Sequence, residues 1–267
     1  MKPVAFEYAR PTTVAEALAM LAARPDAVAL AGGQTLGPML NLRLAQPSLI
    51  IDITRIAELA ALDEEPGAVV IGASVTHAAI EDRRITDPTN GFLARVAAGI
   101  AYRAVRTRGT IGGSLANADP AADWLACLIA LGAELEIAGN GARRRRIALA
   151  AFVHGAMQSD LAHAELIVAI RVPKFARAAR FGFHKICRKT GEFADAIGVV
   201  VYDPERRRYR LVASTDAGAP QVLDSDERPE AAELGDRLVA AGFAGDAADV
   251  ALRAVALRRA LTAAEAS

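Results

Sequence analysis

The chain has 267 residues, 53% hydrophobic and 5% aromatic, with 31 basic and 31 acidic side chains that cancel to a formal net charge of zero. That length suits one or two domains, the balanced charge argues against a nucleic-acid binder, and no apolar run is long enough for a membrane span. Two cysteines, Cys127 and Cys187, and four scattered histidines are too few and too widely spaced for an iron–sulfur cluster or a zinc site, so no metal is expected on this chain and both thiols are expected free and buried.

The first residues lack the apolar core of a signal peptide, which points to the cytoplasm. Thr13-Val14-Ala15-Glu16 reads as a capping box, and Val14, Leu18 and Leu21 then recur on one helical face until Pro25. A short strand over 28–31 leads into Ala31-Gly32-Gly33-Gln34-Thr35. A helical turn over 36–44 and a strand over 49–53 complete this unit. Glu65-Pro66-Gly67 marks a turn, followed by a strand at 69–71 and helices over 76–84 and 92–100. The basic stretch 103–108 precedes a second diglycine segment, Thr110-Ile111-Gly112-Gly113-Ser114.

Pro120 and Asp123 open an apolar helix over 124–131. Residues 133–138 and 143–149 read as a hairpin about Gly139-Asn140-Gly141. In the strand 165–172, Leu166, Val168, Ile170 and Val172 are expected on one face. Residues 174–180 are charged and aperiodic, and form the candidate domain boundary. Strands at 181–185, 196–202 and 209–213 and helices near 230–241 and 246–264 then suggest a small antiparallel sheet with a helical layer.

The two diglycine segments, about eighty residues apart, are the strongest chemical signal. Glycines let a backbone approach a phosphate and turn its N–H groups inward; they equally serve ordinary turns. No G-x-G-x-x-G is present, so a Rossmann site is not supported. Asp119 and Asp123 are each readable as a helix cap or as an acceptor for a sugar-like hydroxyl. Lys185 either bonds a carbonyl of a planar cofactor or projects from a sheet edge. The run Arg143–Arg146 reads as a solvated edge strand. Neither a nucleophile motif nor an acid–base constellation is present, so a bound cofactor is expected to carry any reaction.

Ala31-Gly32-Gly33-Gln34-Thr35, Leu40-Asn41-Leu42-Arg43, Arg108-Gly109-Thr110-Ile111-Gly112-Gly113-Ser114 and Ala118-Asp119-Pro120-Ala121-Ala122-Asp123 together resemble the FAD-binding medium subunit of molybdenum hydroxylases, the group of xanthine dehydrogenase and carbon monoxide dehydrogenase. The resemblance spans nearly the whole chain. It implies an α+β fold: a two-part, vanillyl-alcohol-oxidase-like (PCMH-type) FAD-binding domain over 1–175, then a CO dehydrogenase flavoprotein C-terminal-like domain over 176–267. By position, backbone amides of Ala31, Gly32, Gly33, Gln34 and Thr35 and of Thr110, Ile111, Gly112, Gly113 and Ser114 would hold the FAD diphosphate, with hydroxyls of Thr35, Thr110 and Ser114 adding donors. Asp123 would bind a cofactor hydroxyl, the backbone of Ile167 would run along the isoalloxazine, and Lys185 would lie beside it.

The implied function is electron transfer from two 2Fe–2S clusters on a small subunit through FAD to an external acceptor. A large subunit would hold the molybdopterin cofactor, in a dimer of heterotrimers. Two departures stand out. Gln34 replaces a histidine of many relatives, so FAD is expected to be noncovalent, and Phe193 stands where carbon monoxide dehydrogenase-like members often carry tyrosine. The cysteine-bearing cluster loop of a related reductase subgroup is absent. Two other readings stay open at this stage: a self-sufficient flavin oxidase or dehydrogenase, and an assembly subunit that has lost FAD.

Overall fold

The computed structural model describes residues 2–139, 141, 143–214 and 218–267. The N-terminal unit contains β1 (Glu7–Ala9), α1 (Val14–Ala23), β2 (Val28–Leu30), α2 (Leu36–Asn41) and β3 (Leu49–Asp52). Its three strands form a parallel sheet in the order β1-β3-β2. Thr13 caps α1 by accepting from Glu16 N, while the Glu16 carboxylate accepts from Thr12 N at 2.9 Å, one residue earlier than a strict capping box. The strand β1 was not expected, because only three residues carry it and its partner is far along the chain. Val14, Leu18 and Leu21 are buried as expected and pack with Leu49 and Ile51.

The middle unit opens with β4 (Leu62–Glu65) and β5 (Ala68–Gly72), followed by α3 (His77–Glu81), α4 (Phe92–Ala98), α5 (Arg103–Arg106), α6 (Ile111–Asn117) and α7 (Asp123–Ala130). It closes with β6 (Glu134–Gly139), β7 (Arg144–Ala148), α8 (Leu149–Phe152), β8 (Val153–Gly155), β9 (Gln158–Ser159) and β10 (Glu165–Pro173). A five-stranded antiparallel sheet runs β4-β5-β10-β6-β7. The polar sequence of β4 hid it, since an edge strand needs no alternating pattern. At the other edge, β7 carries the arginines as expected: Arg144 pairs with Glu58, Arg145 with Glu165 and Arg146 with Glu136. Within the expected hairpin turn, Asn140 lies outside the described residues.

The strand β10 departs from the single-face expectation. Its pairing to β6 shifts register between Ile167 and Ala169, and such a bulge reverses the alternation of side chains beyond it. Leu166 and Val168 therefore pack into the N-terminal core, while Ile167, Ile170 and Val172 join the core beneath α7.

The C-terminal unit is an antiparallel meander, β11 (Arg180–Ile186), β12 (Ala196–Asp203), β13 (Arg208–Ala213) and β14 (Gln221–Ser225), followed by α9 (Leu234–Ala240) and α10 (Ala247–Glu265). The edge strand β14 was not foreseen. One face packs under α10; from the other, Ile197, Val199 and Val201 join the core that contains Trp124 and Leu128 of α7. The sheets separate near residue 175, yet one hydrophobic cluster continues across that point. Both cysteines are free; Cys127 is wholly buried, which pushes its thiol up, whereas Cys187 is only partly so. No helix among the described residues is long and apolar enough to cross a membrane, and no cluster of metal-ligating side chains occurs among them.

The helix α10 approaches the sheet through two glycines. A Cβ on Gly182 would overlap the Ala260 carbonyl, and one on Gly198 would overlap the backbone at Ala256. Overpacking of this kind costs about 1–3 kcal/mol, and more where the obstacle is backbone. Gly182→Ala is thus expected to destabilise the chain by at least about 2 kcal/mol in urea denaturation; an unchanged midpoint would show that α10 can move away freely.

Candidate functional site

A cleft of about 680 Å³ lies where the N-terminal and middle units meet and reaches the β11–β12 loop, a size usual for cofactor sites. Of the residues singled out in the sequence, Ala31–Thr35, Thr110, Gly112, Gly113, Ser114, Asp123 and Ile167 line it. Ile111 does not: its side chain is buried in the middle core. Lys185 stands behind Asp123 rather than on the wall.

The first diglycine segment is a true loop between β2 and α2. Gly33 has φ +70°, a conformation glycine adopts without strain. Gln34 folds back, its Nε2 donating to Gly32 O at 3.0 Å. The amides of Gly32, Gly33, Gln34, Thr35 and Leu36 find no acceptor among the described residues. Buried or ligand-facing amides are normally paired, so this run is poised to accept an anion.

The second segment is not a loop. Thr110 caps α6, its Oγ1 accepting from Gly113 N at 3.1 Å. Ile111 N donates to Val75 O at 3.0 Å, Gly112 N to Ala73 O at 2.9 Å and Ser114 N to Thr110 O at 3.0 Å. These amides are therefore engaged within the protein, contrary to the expectation that they face a diphosphate. Two glycines disfavour a helix locally, but the cap and the contact with Ala73 override that cost. The glycines act through bareness. A Cβ on Gly112 would overlap Ala73, and one on Gly32 would overlap the Arg108 carbonyl, so a bare Gly112 lets α6 sit against Ala73 and a bare Gly32 lets the first segment meet the chain just ahead of the second.

Asp123 is the first residue of α7 and caps nothing; Asp119 instead accepts from Ala121 N at 2.9 Å. Lys185 Nζ lies 2.9 Å from Asp123 Oδ1, 3.1 Å from Oδ2 and 3.0 Å from Gly99 O. Only the Oδ2 contact is aligned as a hydrogen bond, which leaves buried Oδ1 without a donor. Burial pushes the Asp123 carboxyl up, opposed by the Lys185 charge. Of the two readings left open for Lys185, the structure shows an inward-turned ammonium rather than an edge projection.

Sequence reasoning missed His77. It is buried beside the second segment, and its Nδ1 accepts from Trp124 Nε1 at 3.0 Å. A Cβ on Gly109 would come within 2.8 Å of its ring. Nothing in the sequence marks it, because its partner lies 47 residues away. Phe193 lies at the rim, 69% exposed.

The model of the FAD-binding domain in molybdopterin dehydrogenase matches residues 4–175. The chain is 42% identical over 203 residues to the carbon monoxide dehydrogenase medium chain of Hydrogenophaga pseudoflava, covering 75% of this chain and 70% of that one. It is 37% identical over 225 residues to caffeine dehydrogenase subunit beta of a Pseudomonas species, covering 83% and 76%. Reconstituted CO dehydrogenase from Oligotropha carboxidovorans superposes with a TM-score of 0.88 at 30% identity, covering 100% of this chain and 99% of that one. The fold is therefore that of a PCMH-type FAD-binding oxidoreductase subunit. The chain belongs to the family of FAD-binding medium subunits of molybdenum hydroxylases.

Burial, and then the nearby Arg106 charge, lower His77 from 6.5 to about 4. The unfolded chain takes up this proton near 6.5 and the folded chain only near 4. The stability that depends on neutral His77 is thus intact above 6.5 and declines as pH falls to 4, by about 3 kcal/mol in all. His77→Asn keeps an acceptor for Trp124 and removes the titration. The difference in urea stability between wild type and variant should shift by about that amount between pH 7 and 4; a pH-independent difference would refute it.

Proposed function

We propose that the cleft holds FAD noncovalently. On this reading the chain passes electrons from two 2Fe–2S clusters on a small partner subunit to an external acceptor, while substrate is oxidised at a molybdopterin centre on a large subunit. One observation carries the reading: an unpartnered run of amides at 32–36 and a buried carboxylate oxygen that has the Lys185 charge nearby but no aligned hydrogen-bond donor, Asp123 Oδ1, belong to the same cleft. The first suits a diphosphate and the second a hydroxyl donor such as the ribityl chain, and a dinucleotide flavin carries both.

The residues divide this work. The amides of Gly32 to Leu36 take the diphosphate, helped by the hydroxyls of Thr35 and Ser114. The Thr110 hydroxyl remains on Gly113 N. Asp123 Oδ1 accepts from a cofactor hydroxyl, and Lys185 fixes that carboxylate from behind. The backbone of Ile167 lies along the ring, and Phe193 covers it at the rim without offering a hydroxyl. Bound FAD supplies the exchange of electrons; no side chain acts as a catalyst. Gln34 presents an amide held by Gly32 O, with no nucleophile for a covalent flavin bond. We further propose the division 1–175 and 176–267, a dimer of heterotrimers, and a cytoplasmic location.

Co-expression with the large and small subunits should give a yellow complex that reduces an acceptor with substrate. Substrate turnover by the isolated chain would refute the division of labour. Gly33→Val combines a strained φ with a displaced amide run and is expected to weaken FAD binding about 100-fold. Gly113→Val, whose side chain meets the Thr110 hydroxyl at 2.8 Å and points toward Ala31, should weaken it at least about tenfold. Unchanged affinity in folded variants, read by flavin fluorescence, would place the diphosphate elsewhere.

A further inference from the structure

Three consecutive carbonyls beside the cleft are held by cations that do not line it. Lys185 Nζ donates to Gly99 O at 3.0 Å. Arg106 Nη1 donates to Ile100 O at 2.8 Å and to Ala101 O at 3.1 Å. Arg106 is itself fixed at two points by Glu81, Nε to Oε2 at 2.8 Å and Nη2 to Oε1 at 2.9 Å, and is 11% exposed. Ile100 and Ala101 line the cleft, whereas Arg106 does not.

The consequence follows from peptide geometry. In a trans peptide the N–H points opposite to its C=O. The amides of Ala101 and Tyr102 therefore both point away from Arg106, and neither finds an acceptor among the described residues. Between them, Ala101 has φ +42°, a left-handed conformation that an alanine holds only under strain. Such turns aim successive N–H groups at a common point and bind negative charge. Gly191, at φ +89°, packs on the same turn, where its Cβ would stand 3.1 Å from Ala101 O. The loop that carries Phe193 thus closes over it.

We propose that Arg106 is a positioning residue: it holds the strained turn 100–102 so that the cleft-lining amide of Ala101, backed by that of Tyr102, is directed at the N1–C2=O edge of the flavin ring and favours the reduced cofactor. This rests on the reading that FAD occupies the cleft with its ring near Asp123, Ile167 and Phe193. Two-electron reduction leaves negative charge along that ring edge. Donors fixed there in advance stabilise the reduced ring more than the oxidised one. Without Arg106, the two carbonyls lose their donor and the turn can relax out of its left-handed conformation.

The test is the flavin midpoint potential of the full chain loaded with FAD, measured by dye equilibration. Arg106→Met should shift the ratio of reduced to oxidised affinity about tenfold, lowering the potential by about 30 mV. Arg106→Lys keeps the charge but not the simultaneous hold on Glu81 and both carbonyls, so at least half of the shift should persist. Arg103→Met removes another cation of the Glu81 cluster that touches no turn carbonyl, and should leave the potential unchanged.

An unchanged potential in Arg106→Met with FAD still bound would overturn the inference and leave the cofactor reading intact. Full restoration by Arg106→Lys, or an equal shift in Arg103→Met, would assign the effect to charge and overturn the positioning role. Should Arg106→Met fail to fold, Arg106→Lys decides alone. Failure of the wild-type chain to take up FAD would instead sink the cofactor reading itself.

Discussion

The cleft depends on one irregularity, the bulge at Val168 in β10. The extra residue splits one strand between two cores, sending Leu166 and Val168 to the N-terminal unit and Ile170 and Val172 to the middle unit. On its other side β10 keeps a regular register with β5, and one step beyond the Ala169–Gly72 pair Val168 O accepts from Ala73 N at 3.0 Å; Ala73 O in turn accepts from Gly112 N at 2.9 Å. Through these two bonds β10 fixes the start of α6. Gly32 then meets the Arg108 carbonyl next to that start. The two glycine segments thus meet beside a strand that passes from one core to the other at its bulge.

This explains why some of the site was legible in the sequence and some was not. The first segment could be read locally: Gly33 at positive φ after a short apolar strand is a loop in any context. The second could not. Thr110-Ile111-Gly112-Gly113-Ser114 is glycine-rich enough to look like a loop, and only the tertiary contact with Ala73 makes it a capped helix. Strand β10 illustrates the same limit, since Leu166, Val168, Ile170 and Val172 alternate perfectly in sequence and a bulge is invisible there. The edge strands β1, β4 and β14 escaped notice because an edge position relaxes the demand for a buried face. Side chains whose partners lie far along the chain, such as His77 and Trp124, leave no local signature at all.

Burial and charge are handled differently on the two sides of the cleft. On the outer edge of the middle sheet, the half-exposed arginines of β7 pair with carboxylates that keep contact with water, and such surface pairs add little stability. Inside, Asp123 and Lys185 are 8% and 10% exposed. Taking two charges from water is costly unless each finds partners. Lys185 answers that with three close oxygens, from both sides of the Asp123 carboxylate and from Gly99. Asp123 has no such surplus, and its Oδ1 has the ammonium 2.9 Å away but no aligned donor. In the proposed reading, that deficit is the chain's contribution to affinity, because a hydroxyl that fills it completes a buried network. The pair also ties β11 to α7, so the C-terminal sheet helps to hold the cofactor wall in place.

The proton chemistry of the cleft points the same way. His77 is the one lining histidine for which burial removes the proton outright, holding it neutral down to about pH 4. His163 is engaged by the carbonyls of Leu21 and Arg24 at 2.8 and 3.0 Å. Glu165 is held below its ordinary value by the hydrogen bond from the Arg145 guanidinium. A general acid or base needs a poised proton within reach of the reacting atom, and here His77 is held neutral and Glu165 charged. The wall supplies fixed dipoles instead: the amide run at 32–36 and the turn at 100–102. A surface built this way changes little when an electron arrives, and low reorganisation is what a relay requires of its host.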